Sequence, residues 1–342
     1  MAITVVLESS IMQKGLPADA GSKMLEEFIA PVDACVVERL LAGNVDITGR
    51  VDTSEFGISG LFERGSSSLY SILTEAVSGA DVILCNDYTG AVSQAAADAG
   101  LFYIHPTYGA VSRYGLVPSV CSMDQIGIVC KEPGVGFEVL EIISGYDARD
   151  GVMCPDKDTK NEAQEISSSF EVDIAEKKSD YSGIYKQIMQ ILCSAELSNN
   201  ISRYDGIKFG HRAKEHDSLN ELYVKSRTEG FGEDVKLAAV IGAMVLYGDN
   251  YERYYDKAMR VRRLIRDSLE FDKYDVIVSK CPLLSRICGL PSLSTPGYVY
   301  IAAAGREDIL KAVSGAVVNV NVPITDDEEL SGKIKAIKGD TL

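Results

Sequence analysis

"HPTYGAVSRYGLVPSVCSMDQIG" runs from His105 to Gly127. It holds two Tyr-Gly steps, a lone Arg113 and a Ser-Met-Asp-Gln turn, with almost no other charge. An exposed loop would carry more charge, and a strand or helix a clearer period. Such a stretch lays the chain across packed structure, with glycines at its turns and with Tyr108 and Tyr114 expected inside. On either side stand short β-branched runs, "LFYIH" from Leu101 and "IGIVC" from Ile126. Similar runs are "ITVVLE" at Ile3, "DVILC" at Asp81, "YDVIVSK" at Tyr274 and "YVYIAAA" at Tyr298. They read as strands, several of them buried on both faces. Helices are expected between them, over 68–77, 90–99, 136–143, 185–202 and 309–317. The clearest amphipathic spacing is in "NYERYYDKAMRVRRLIRDSLEF", where Tyr254, Ala258, Val261, Leu264 and Ile265 share a face. Strands alternating with helices give a layered α/β fold.

The 342 residues are 46% hydrophobic and 25% charged, enough chain for a large core. A formal net charge of −16 repels phosphate backbones, so direct nucleic-acid binding is not expected. "MAITVVLESS" lacks the basic start and long apolar run of a signal peptide. No apolar stretch reaches membrane-spanning length. The eight cysteines include no CxxC pair, and there are three histidines, so neither a metal site nor any cofactor is expected. Buried free thiols in a reducing, cytoplasmic setting are the expectation. His105 reads as structural, and His211 and His216 as surface residues. Residues 147–180 are polar and weakly periodic and read as a surface connection. The tail 326–342 is charged, which leaves 1–325 as a single domain.

The opening stretch with its continuation "EVLEIISGYDARD" resembles the amidase signature family, and within it the A subunits of glutamyl-tRNA(Gln)/aspartyl-tRNA(Asn) amidotransferases. Further matching pieces follow in the family's order: "KGLPADAGSKMLEEFIAPVDACVVERL", "SRYDGIKFGHR", "YVKSRTEGFGEDVK", "YYDKAMRVRRLI", "YDVIVS" and "GLPSLSTP". The resemblance implies an amidase-signature fold, a mixed central β-sheet covered by helices, here with loops and peripheral elements deleted. It also implies amide hydrolysis by a Ser–Ser–Lys triad and partners of the B-like and C-like kind, or an intact A subunit.

The triad is implied only in part. A neutral lysine must accept the proton, because only an uncharged amine is a base. Counting back from Lys14-Gly15 puts Glu8 at that position. The relay serine falls at Ser67 in "RGSSSLYS", with Leu69 and Tyr70 where the family has glycines. The nucleophile motif Asp-Thr-Gly-Gly-Ser-Ile-Arg maps onto "DYTGAVS". Asp87 keeps the Asp, Tyr88, Thr89 and Gly90 form the oxyanion-hole turn, Ala91 stands for the nucleophile, and Ser93 for the Arg. Arg227 stands where the family grips a glutamine carboxylate; pairing with Glu229 or Asp234 is the other reading. The family's acidic segment between the "YDVI" strand and "GLPSLSTP" is largely missing, as is its insert after "GYDARD". The expectation is a trimmed pseudoamidase serving as a binding or scaffold component. The alternative is an active amidase whose catalytic groups have moved, for example to Ser93.

Overall fold

The computed structural model describes residues 2–62, 73, 79–153, 174–176 and 182–319. The expected helix over 68–77 (Leu73 apart), most of 147–180 and the tail 326–342 lie outside these residues. The strands are β1 (Thr4–Glu8), β2 (Asp46–Val51), β3 (Val82–Asn86), β4 (Phe102–His105), β5 (Ile126–Cys130), β6 (Ile174–Glu176), β7 (Val276–Ser279), β8 (Ser292–Thr295) and β9 (Tyr298–Ala302). Among the described residues they form one nine-stranded sheet, in the order β2-β1-β3-β5-β4-β8-β9-β7-β6. The β2/β1/β3 and β7/β6 pairings are parallel and the rest antiparallel, so the sheet is mixed.

Alternation along each strand divides the apolar residues between two faces. Val5 and Leu7 of β1, with Val82 and Leu84 of β3, point to one side. There they meet α1 (Cys35–Ala42), α3 (Pro133–Ile143) and α9 (Glu307–Asn319). Val6, Ile83 and Cys85 point the other way, onto α2 (Ala91–Asp98). Beyond α2 that second face carries α4 (Tyr185–Asn200), α6 (Glu233–Leu246), α7 (Lys257–Asp267) and α8 (Leu283–Cys288) around Tyr88 and Phe56. A further helix, α5 (Leu219–Gly230), packs beside them. This is the layered α/β architecture that the alternating pattern predicts, with the mixed sheet that the resemblance implies.

Three strands escape a reading by hydrophobic run. β2 is "DITGRV", an edge strand with every residue half-buried or exposed. β8 is "SLST", fully buried, with its hydroxyls turned inward. β6 lies within the segment expected to be a surface connection and instead forms the far edge of the sheet, paired with β7. The start of that segment departs from expectation too, because Asp147 and Asp150 are buried. Ser112 Oγ donates to Asp147 Oδ2 at 2.8 Å, and Arg113 Nη2 bonds Asp150 Oδ1 at 2.7 Å. Leu264 is exposed on α7, since it lies about 110° from the stripe centred on Ala258 and Ile265. Tyr255, in the π-helical turn Tyr251–Asp256 ahead of α7, joins the core.

The His105–Gly127 stretch ties the layers together. Met12 N–H donates to Gly115 O, Cys35 N–H to Tyr114 O, and Val117 N–H to Ser10 O. It therefore joins the end of β1 to the start of α1. Tyr108 and Tyr114 are half-buried rather than inside, each under a guanidinium: Arg113 at 5.3 Å and Arg149 at 4.0 Å from the ring centres. Gly115 has φ +84°, and a Cβ there would lie 2.4 Å from Ala34 Cα. Both conditions exclude a side chain. Gly115→Ala is expected to cost at least about 2 kcal/mol, read as a lower urea midpoint with an unchanged m-value.

Candidate functional site

β1 and β3 run parallel, so both end at the same edge of the sheet, the edge where α/β folds place their chemistry. β1 ends on Glu8 and β3 on Asn86; the turn Asp87–Gly90 then leads into α2. Glu8 is 3% exposed. Its Oε2 accepts Ser10 Oγ–H at 2.6 Å and Asn86 N–H at 2.8 Å. Burial pushes the Glu8 carboxyl above its usual range, against the hydrogen bonds from Asn86, Ser10 and Thr53, and the nearby Asp87 charge adds to the rise. Asn86 Nδ2 donates to Asp124 Oδ1 at 2.9 Å, and Asn86 Oδ1 accepts Gln125 N–H at 3.1 Å. Asp124, also raised by burial, takes the N–H groups of Ser119 and Val120.

Asp87 is held by another set. Its Oδ1 accepts Val92 N–H at 3.1 Å and its Oδ2 accepts Ser93 N–H at 2.9 Å, capping the start of α2. Arg286 Nη2 reaches Asp87 Oδ2 at 2.9 Å, and neither side chain has any exposure. The rest of that guanidinium bonds Asp87 O and Ser285 Oγ and lies 5.1 Å from the centre of the Tyr103 ring. His105 is buried next to it. Burial, with the Arg286 charge adding, holds the His105 imidazole well below its ordinary range, so it stays neutral at physiological pH.

The turn itself is closed. Tyr88 has no exposure, and its hydroxyl donates to Phe56 O at 3.0 Å. Ala91 N–H donates to Thr89 Oγ1 at 3.2 Å. Ser93 is fully buried, with its Oγ–H given to Gly90 O at 2.9 Å. On one side Gly60 packs so closely that a Cβ there would lie 2.9 Å from Ala91 Cβ. On the other, Pro282 at the head of α8 would meet a Cβ on Gly90 at 3.0 Å. The openings nearby are small. A space of about 50 Å³ lies between Ser93, Gln94, Pro282 and Ser294. A cleft of about 140 Å³ lies between Arg113, Tyr114, Cys121 and Arg149.

The comparisons with known proteins agree with this layout. The Amidase family model matches residues 168–285. The glutamyl-tRNA(Gln) amidotransferase A subunit of Wolinella succinogenes is 34% identical over 329 residues, 82% of this chain and 72% of the relative. The chain belongs to the amidase signature family. The corresponding protein of Lachnoclostridium phytofermentans is 32% identical over 327 residues, 81% of this chain and 66% of the relative. The chain thus spans about two thirds of the length of such relatives. The crystal structure of the Thermotoga maritima glutamyl-tRNA(Gln) amidotransferase A subunit shares the fold, with a TM-score of 0.62 at 24% identity over 95% of this chain and 84% of that one.

Within this amidase-signature fold, Glu8 and the Tyr88-Thr89-Gly90-Ala91 turn stand at the same edge of the sheet. Ser67 lies outside the described residues. Arg227 is elsewhere engaged: its Nη1 donates to Ile201 O at 2.9 Å and Tyr204 O at 3.1 Å, and its guanidinium stacks on Phe231. Glu229 pairs with His211 at 2.8 Å, not with Arg227. His211 and His216 are both half-buried rather than on the surface. Motif reading does not single out Arg286. Its signal is a single charge inside the apolar run "PLLSRICGL", which a buried partner must balance. Among the described residues no group of three or more His, Cys, Asp or Glu is placed to hold a metal ion. No helix among them is long and apolar enough to cross a membrane.

Glu8 has a raised folded pKa, so its contribution to stability is full below the unfolded value, about 4.3, and is lost as pH rises through the folded value. Glu8→Gln removes that loss. Thermal midpoints of variant and wild type measured across pH 4–9 should therefore diverge in the variant's favour as pH rises, then run parallel. Arg286→Met strands the Asp87 carboxylate and is expected to cost about 3–5 kcal/mol in chemical denaturation, part of it regained when Asp87→Asn is added.

Proposed function

We propose that this amidase-signature protein is a pseudoamidase, a single domain over 1–325 that serves as a non-catalytic binding or scaffold subunit in the cytoplasm. One observation carries the reading: the side chains of Glu8, Asp87, Tyr88, Thr89 and Ser93 at the candidate site are spent on neighbouring groups of the protein. Covalent amide hydrolysis needs a nucleophile, a neutral base and free donors for the oxyanion. The motif alignment assigns the nucleophile position to Ala91 and the base position to Glu8. An acid in place of the lysine inverts the charge of the site, and this one already accepts two donors. The N–H groups at the head of α2 are taken by Thr89 and Asp87. Tyr88 and Thr89 fill space that small residues would leave open.

Relocated catalysis through Ser93 gains no support from its surroundings, because that hydroxyl is buried and bonded to Gly90 O. The likeness to amidotransferase A subunits makes B-like and C-like subunits, or an intact A subunit, the partners to test. A role beside tRNA amidation places the protein in translation.

The decisive assay is ammonia release from glutamine and simple amides, by the purified chain alone and mixed with amidotransferase B and C subunits. We expect none above buffer, and Ala91→Ser is expected to stay inactive because the base is still missing. Hydrolysis that Ser67→Ala or Ser93→Ala abolishes would overturn the reading. Failure of the chain to co-purify with any amidotransferase subunit would overturn the scaffold role.

A further inference from the structure

The cleft of about 140 Å³ shares no lining residue with the turn at Ala91. Tyr114, Leu116 and Pro118 supply apolar surface to it, and Arg113, Arg149 and Asp124 polar surface. Most of the polar capacity there is used within the protein, and what is left over has a definite pattern. Asp150 is saturated, accepting the backbone N–H, Nε and Nη2 of Arg113 and the N–H of Val152. Arg113 also donates through Nη1 to the Tyr108 hydroxyl and to Cys121 O. One N–H of its Nη2 then has no acceptor among the described residues. Arg149 gives Nε to Asp147 and one N–H from each Nη to Glu38, so the second N–H of each Nη is unused among those residues. Its guanidinium is held over the Tyr114 ring, 4.0 Å from the centre. Asp124 Oδ1 accepts Asn86 Nδ2 and Val120 N–H, but Oδ2 accepts Ser119 N–H alone. A carboxylate oxygen can take a second donor, so one acceptor position is left.

We propose that this cleft binds a small free 2-amino acid, with its carboxylate on the guanidiniums of Arg149 and Arg113 and its ammonium toward Asp124. The spare groups are mainly N–H donors on planar cations, the geometry that suits a carboxylate. The spare acceptor belongs to an acid, which favours a charged donor over a neutral one. A lone anion would meet Asp124 and Asp150, and a lone cation Arg113 and Arg149; a ligand carrying both charges answers each with its opposite. Volume sets the length, since a cavity of roughly 150 Å³ holds a molecule the size of benzene. Alanine or serine is of that size, and a side chain as long as that of glutamine is not. The apolar surface of Tyr114, Leu116 and Pro118 suits a methyl group. The site is thus separate from the glutamine contact that the family resemblance implies at Arg227.

Isothermal titration calorimetry of the full chain with alanine, lactate and propionate tests this, because the three differ only in the group on the α-carbon. We expect alanine to bind one to one with a dissociation constant of about 5 mM or below, lactate about tenfold more weakly, and propionate not measurably. Arg149→Gln is expected to weaken alanine binding about tenfold or more. Cys121 is exposed and lines the cleft, so Cys121→Phe fills the space and abolishes binding. The far-UV circular dichroism of both variants should match that of the wild type. A second measurement needs no substitution and decides even where a variant folds poorly. Alkylation of the Cys121 thiol by iodoacetamide, followed by mass spectrometry of its peptide, should be slowed by alanine and not by propionate. Absence of alanine binding at about 20 mM overturns the proposal. So does binding that both variants leave intact, alkylation that alanine does not slow, or propionate that binds as tightly as alanine.

Discussion

The guanidinium of Arg286 and the carboxylate of Asp87 meet at 2.9 Å with no exposure on either side. Two ions cannot be taken from water singly, and as a pair they are tolerated only when their remaining donors and acceptors are also met. Asp87 therefore also caps α2, and Arg286 also bonds Ser285 and the Asp87 carbonyl. In consequence the turn after β3 is anchored to α8, 199 residues later in the chain. Pro282 then closes over Gly90 and the loop at Gly60 over Ala91. The N–H groups of Ala91, Val92 and Ser93 are thereby taken, and Gly60 and Pro282 crowd the turn from both sides.

The same logic runs through the polar layer at the sheet edge. Glu8, Asn86, Asp124 and the Ser119–Val120 backbone form one connected set, in which the Glu8, Asn86 and Asp124 side chains each accept from a neighbour. The acids on the opposite rim are treated differently. Burial raises the Asp150 carboxyl, but the hydrogen bonds and charge of Arg113 outweigh it and hold it below its ordinary range. Arg149 similarly bridges Asp147 and Glu38. Asp147 and Asp150 are paired with guanidiniums, whereas burial raises the Glu8 carboxyl and only neutral donors oppose it.

Much of this fold is legible in the chain. β1, β3, β4, β5, β7 and β9 are β-branched runs, because strands packed on both faces need apolar side chains throughout. β2 and β6 are edge strands with a single partner, so their composition is free to be polar. β8 is buried yet reads "SLST", the Ser292 hydroxyl being met by Ser285 and Arg286 and that of Thr295 by the Tyr298 carbonyl. The motif positions Glu8, Asp87 and Ala91 can be located by counting between landmarks. The role of Arg227 cannot, since a lone Arg at a helix end looks the same whether it meets a ligand or the carbonyls of Ile201 and Tyr204.

By itself the sequence determined the layered α/β class, the family, and which residue types stand at the motif positions, since those follow from periodicity and local order. Only the tertiary structure decided what those residues do. Whether Ser93 is reachable, whether the turn's N–H groups are free, and which cation answers Asp87 depend on contacts between segments far apart in the chain. The partner of Asp87 proved to be an arginine from α8, and desolvation, which fixes the worth of every charge in the site, exists only once those segments have packed.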